Sequence, residues 1–191
     1  DPDALMIQSN QQVIEKMVVR IDRILTDLKD TVAIEQGRLA LNLAPMRLSK
    51  LLKEVSGTYF GKDASGGNEL VLDIDESLLP ISADYARIVQ VVTNLLSNAI
   101  QHTKAGRIRI SLYKQDGEQI VIIADNGEGM KEELQEQVFK GYISSDKEYW
   151  RHGIGLYVSH QIVEAHGGRI WIESKLGEGT TVTFTLPDEE K

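Results

Sequence analysis

The chain has 191 residues, with 29 acidic and 21 basic side chains for a formal net charge of −8. An acidic balance without a Lys/Arg stripe argues against a nucleic-acid-binding face, and the absence of cysteine removes disulfides, thiolate metal sites and cysteine nucleophiles. A hydrophobic fraction of 41% suits a chain with a buried core. No apolar run approaches the ~18 residues of a membrane span, and the Asp- and Gln-rich start is not a signal peptide.

Gln8 to Glu35 contains no Gly or Pro, and Ile14, Met17, Ile21, Ile24 and Leu28 form an a/d heptad seam. This predicts a long amphipathic helix, packed either on the domain behind it or in an intermolecular bundle, and ended by Gly37. Leu39 to Leu43 alternates like a short strand, Ser49 to Val55 reads as a helix, and Gly61 to Asn68 as a loop. Glu69 to Ile74 is a predicted strand with Leu70, Leu72 and Ile74 on one face. A helix follows from Ala83 to His102, with Ser82 or Asp84 as its cap. Arg107 to Lys114 and Gln119 to Ala124 read as a hairpin across Asp116-Gly117. Glu132 to Phe139 is a brief helix, Gly141 to His152 has no period, and Ile154 to Ala165 is helical up to Gly167-Gly168. Arg169 to Glu173 and Thr181 to Leu186 form a second strand pair across Gly177-Glu178-Gly179. Strands and helices in separated blocks predict an α+β fold: a two-layer α/β sandwich, one mixed sheet covered by helices on one face.

Three features carry chemistry. On the helix Arg87 to Thr103, a rotation of ~100° per residue places Gln90, Asn94, Asn98, Gln101 and His102 within roughly 120° of arc. Val92, Leu95, Leu96, Ala99 and Ile100 fill the rest, so this helix is buried and its amides need partners, either neighbouring backbone or a ligand bearing phosphates and a hard cation. Second, Asp125-Asn-Gly-Glu-Gly129 follows the apolar run Ile120 to Ala124. A carboxylate ending a buried strand needs a donor, which the exocyclic amine of a base would supply, and Gly127 and Gly129 would let a flat ring approach the backbone; a plain turn or a weak Ca²⁺ loop are the alternatives. Third, Gly153-Ile-Gly-Leu156 opens a helix whose free N–H groups could hold an anion. P-loop, dinucleotide and zinc-protease fingerprints are missing from the chain.

In order, Asn94-Leu-Leu-Ser-Asn98-Ala, Asp125-Asn-Gly-Glu-Gly129, Phe139, Gly153-Ile-Gly-Leu156 and Gly177-Glu-Gly-Thr180 resemble the N, G1, F, G2 and G3 boxes of the sensor histidine kinase catalytic domain, in the Bergerat (GHKL) superfamily. The match runs from about Met46 to Pro187. It implies an ATP-binding domain over residues 46–188 with a lid at 130–152, a linker at 37–45, and the second dimerisation helix at 1–36. Asn98 would ligate Mg²⁺ and Asn94 would support the phosphates or metal. Asp125 would accept the adenine amino group, with Thr180 and water completing recognition of the base. His102 would lie against the nucleotide, and the backbone of Gly153, Ile154, Gly155 and Leu156 would cover the phosphates.

The resemblance also implies a phosphoryl transfer from Mg·ATP to a histidine of the dimerisation domain, a homodimeric full-length protein, and a response regulator receiver domain as partner. It implies a cytoplasmic location, with a membrane anchor elsewhere in the full-length protein. Hydrolysing members of the superfamily carry a Glu general base where this chain has Asn94, and an amide cannot deprotonate water. Gln101 replaces the basic residue usual at the end of the N box, Gly141 and Ser144 stand where an Arg is common in the F-box region, and Lys140, Lys147 or Arg151 of the lid would compensate. The four histidines precede Thr103, Gly153, Gln161 and Gly167. None has the Glu that typically follows the phosphoacceptor histidine, so the fragment should bind ATP without phosphorylating itself. An anti-sigma-type serine kinase and a degenerate nucleotide-binding regulatory module are the competing readings.

Overall fold

The structure, a computed structural model, describes residues 25–26, 29–60, 67–135, 137–139 and 153–188. The chain divides into two compact units, Asp1–Leu39 and Ala40–Lys191. In the first, residues 29–35 form helix α1. Its end is closed by Gly37 N donating to Ile34 O (2.8 Å) and Arg38 N donating to Ala33 O (2.8 Å), the paired bonds of a Schellman turn. The seam residues Ile14, Met17, Ile21, Ile24 and Leu28 lie outside the described residues.

Residues 39–43 are not a strand; pairing starts at β1 (Ala44–Met46), antiparallel to β3 (Ile81–Ala83). The backbone amide of Asn42 donates instead to the Asp84 carboxylate (2.8 Å), which takes it out of reach of a strand partner. Helix α2 (Leu48–Tyr59) buries Leu48, Leu51, Leu52 and Val55, a spacing of 3, 1 and 3 that makes one apolar stripe. Helix α3 (Tyr85–His102) is capped by Asp84, which accepts from Arg87 N (3.1 Å). The short helix α4 covers Glu132–Gln135, and α5 covers Gly153–Ala165.

Strands β2 (Glu69–Ile74), β4 (Arg107–Gln115), β5 (Glu118–Asp125), β6 (Ile170–Lys175) and β7 (Gly179–Pro187) form one sheet in the order β2-β4-β5-β7-β6. Only the β2–β4 pair is parallel. The β4–β5 hairpin turns at Asp116 and Gly117, both at positive φ (51° and 79°), which matches the twist of the strands it joins. On β4, buried Ile108, Ile110 and Leu112 alternate with outward-facing Arg107 and Arg109. Their cross-strand neighbours Val121, Ile123, Val182 and Phe184 continue the buried face, against which α2, α3 and α5 pack. The fold is thus the two-layer mixed-sheet sandwich expected. Burying each of these large side chains contributes roughly 1.5–3 kcal/mol.

Candidate functional site

The contacts of α3 with α5 fix how the site is laid out. At the first turn of α3, Asp84 N donates to Nε2 of His166, whose Nδ1 donates to Ile162 O (2.7 Å) just beyond the end of α5. Half-way along α3, Asn94 Nδ2 donates to Gly155 O (3.1 Å) and Ser159 Oγ (3.3 Å) near the start of α5. The helices are therefore antiparallel, and the last two turns of α3 run past the N-terminal end of α5. From Asn94 to His102 that overhang spans about 12 Å at 1.5 Å per residue.

Asn94 is 1% exposed and belongs to the helix pair. One turn further on, half-buried Asn98 makes no side-chain hydrogen bond among the described residues, so its amide is open. Gln101 is exposed, and His102 is half-buried with its Nδ1 against Glu128 Oε1 (2.5 Å). Among the described residues no group of three His, Asp or Glu side chains could hold a metal, so a cation here would depend on Asn98 and on oxygens brought by a ligand.

Beyond His102 the sheet supplies the other half of the site. Asp125 ends β5 and is paired in register with Thr180 of β7, which is paired with Ser174 of β6. Two residues along, Ile123 and Val182 face the helices, so Asp125 and Thr180 do as well. Burial raises the Asp125 carboxyl above its usual 3.8, against the lowering effect of the Gly127 and Thr180 amides, the Thr103 hydroxyl and His102. Gly127 N donates to Asp125 Oδ1 (2.9 Å). Thr103 Oγ1 is buried beside this carboxylate. A partly desolvated carboxylate with a buried hydroxyl beside it suits a ligand that brings N–H donors.

The glycines of this region also answer to the protein's own backbone. Gly127 and Gly129, which the sequence reads as letting a flat ring approach, make room for close backbone neighbours. A Cβ on Gly127 would lie 2.2 Å from the His102 carbonyl oxygen, and one on Gly129 (φ +62°) would lie 2.1 Å from Lys175 O. The loop after β5 is thereby held on the end of α3 and on the β6–β7 turn, with Glu128 N donating to His102 O (3.1 Å) and Gly177 N to Glu128 O (2.7 Å). Gly153, Ile154, Gly155 and Leu156 form the first turn of α5, as predicted. Lys147, Arg151 and residues 140–152 of the expected lid lie outside the described residues. At the lid's beginning, Phe139 packs against His160 of α5, ring centroids 5.5 Å apart. Thr103 and Ser174 were not foreseen. The signal available for Thr103 was a hydroxyl where the polar stripe of α3 reaches the sheet; Ser174 becomes visible only through strand register.

Comparison with known proteins agrees with this geometry. Residues 83–190 match the family described as histidine kinase-, DNA gyrase B-, and HSP90-like ATPase, and the chain belongs to that family. Within it, the relatives are histidine kinases. The chain is 33% identical over 173 residues to the circadian input-output histidine kinase CikA of Synechococcus elongatus, covering 87% of this chain and 23% of that protein. It is 32% identical over 172 residues to the adaptive-response sensory kinase SasA of a Synechococcus species, covering 88% and 46%. The chain thus spans less than half the length of either relative. The catalytic domain of histidine kinase ThkA superposes with a TM-score of 0.67 at 29% identity, covering 77% of this chain and 96% of that one. ThkA in complex with the response regulator protein TrrA superposes with a TM-score of 0.70 at 27% identity, covering 90% and 49%. The chain is an ATP-binding catalytic domain of the histidine kinase type. Among the described residues no helix is long and apolar enough to cross a membrane.

Proposed function

We propose that this chain binds Mg·ATP along the overhang of α3 and, in its full-length protein, transfers the γ-phosphoryl group to a histidine of the dimerisation domain for relay to a response regulator aspartate. The observation that supports this most is the partly buried Asp125 carboxylate, in register with Thr180 and beside the buried Thr103 hydroxyl at the end of α3, about two and a half turns from Asn94. The carboxylate accepts the adenine amino group, with Thr180 beside it and His102 against the base. The N–H groups of the first turn of α5 cover the phosphates, with Gly153 and Gly155 admitting them closely.

Asn98 supplies an amide oxygen of the kind Mg²⁺ takes, and the bound ion would neutralise charge on the phosphates. Asn94 acts through Gly155, holding the phosphate-covering turn at a fixed distance from Asn98. Buried and committed to α5, it neither reaches nor deprotonates a water, which favours phosphotransfer over hydrolysis. Lys147 and Arg151 of the lid are proposed to add positive charge at the phosphates where Gln101 adds none. Catalysis then rests on positioning and charge stabilisation. In the ThkA complex the bound partner is a response regulator protein, and the same class of partner is proposed here.

The test is transfer in trans. The chain, supplied with Mg·ATP and a separately made dimerisation hairpin bearing the acceptor histidine, should place acid-labile, base-stable phosphate on the hairpin. Transfer of acid-stable phosphate to a serine, or hydrolysis alone, would contradict the proposal.

A further inference from the structure

The hydroxyl of Ser174 sits at a junction that the proposed chemistry does not use. It accepts from Met130 N (2.9 Å), donates to Gly179 O (2.9 Å) and meets Thr180 Oγ1 (2.9 Å). Its own backbone is clasped by a side chain from α4: Gln135 Nε2 donates to Ser174 O (2.7 Å) and Ser174 N donates to Gln135 Oε1 (3.2 Å). The hydroxyl is thereby fixed in place from both sides.

A serine hydroxyl has one proton and two lone pairs. An amide N–H can only donate and a carbonyl can only accept. With Met130 N filling one lone pair and Gly179 O taking the proton, the contact to Thr180 completes the set only when Thr180 is the donor. The Thr180 proton is then committed to Ser174, and what Thr180 offers the pocket is its lone pairs. Beside it in register, the Asp125 carboxylate also offers only lone pairs.

We infer that Ser174 is a positioning residue that sets the polarity of Thr180, so that the base site presents two adjacent acceptors and selects a 6-amino purine over a 6-oxo purine. The inference rests on the reading of the Asp125–Thr180 pair as a purine site. A 6-amino group brings N–H donors to both acceptors, whereas a 6-oxo group brings lone pairs against lone pairs. Without Ser174, the Thr180 hydroxyl is free to turn and donate to a 6-oxo group, and selectivity narrows although no residue facing the base has changed.

The experiment is calorimetric titration of the full chain with Mg·ADP and Mg·IDP. The wild type should prefer ADP. Ser174→Ala should cut the ADP-to-IDP preference by about 5- to 10-fold, the scale of one hydrogen bond. Thr180→Val, close in shape and still β-branched, should narrow it similarly without touching Ser174, and adding Ser174→Ala to that variant should change nothing more. Gln135→Ala, which opens the clasp but leaves the hydroxyls in place, should retain the wild-type preference. Parallel weakening of both nucleotides in Ser174→Ala, undiminished discrimination in Thr180→Val, or an equal narrowing in Gln135→Ala would each overturn the inference while leaving the purine site standing. A wild type that binds neither nucleotide would overturn the purine site itself.

Discussion

Two aspartates at opposite ends of α3 are held in opposite directions, and the contrast separates architecture from function. Burial works against ionisation of Asp84, but the amides of Asn42, Arg87 and Ala86 outweigh it and its carboxyl sits below 3.8. Its contribution to stability is therefore present above the unfolded value and lost as pH falls through the lowered one. Asp84→Ala should lose about 1–2 kcal/mol in denaturant unfolding at neutral pH, and the deficit should disappear well below pH 3.8. Asp125 is the reverse case. Burial holds its carboxyl up, so the stability it contributes is present at low pH and lost as pH rises through the raised value. Asp125→Asn should leave the thermal midpoint of the free protein unchanged or higher, while adenine-nucleotide affinity falls about 10- to 100-fold. Wild-type affinity should itself decline, as the solution is acidified, from a higher pH than an ordinary carboxylate would give.

Among the elements, the loop after β5 shows where sequence reasoning succeeds and where it stops. The polar stripe of α3, the hairpin at Asp116-Gly117, the cap at Asp84 and the order of motifs are all local signals, legible because a helix or strand period carries them. Strand β1 begins at Ala44 and not at Leu39, because the distant bond from Asn42 to Asp84 takes the preceding backbone away from a strand partner. The Asp125-Asn-Gly-Glu-Gly129 motif was recognised, yet the reason for its glycines was not, since the carbonyls of His102 and Lys175 that require them come from other parts of the chain. Ser174 belongs to the site for the same kind of reason: strand register, not spacing, brings it beside Thr180, the register partner of Asp125. Gly129→Ala, with its Cβ 2.1 Å from Lys175 O and a φ of +62°, should destabilise the chain by about 2 kcal/mol or more. Ala at Gly117, where nothing lies within 4 Å, meets no such contact; the comparison of the two unfolding midpoints isolates the cost of the close approach.

For the whole molecule, the second unit carries the nucleotide site and the first carries a helix of the kind proposed to join a dimerisation domain. Of the four histidines, His102 contacts Glu128, His160 packs on Phe139 and His166 ties α5 to Asp84, so these three have local roles. His152 lies outside the described residues. The chain incubated alone with Mg·ATP should accordingly incorporate no acid-labile phosphate, and incorporation should appear only when a hairpin with the acceptor histidine is added. A protein that labels itself would place the acceptor within these 191 residues.

The most direct measurement is calorimetry of the intact chain with a non-hydrolysable ATP analogue in magnesium buffer, run beside Asp125→Asn. A single saturable site is expected in the wild type, with a loss of at least about 10-fold in the variant with its fold intact. No heat of binding in the wild type, or equal affinity in the two proteins, would contradict it.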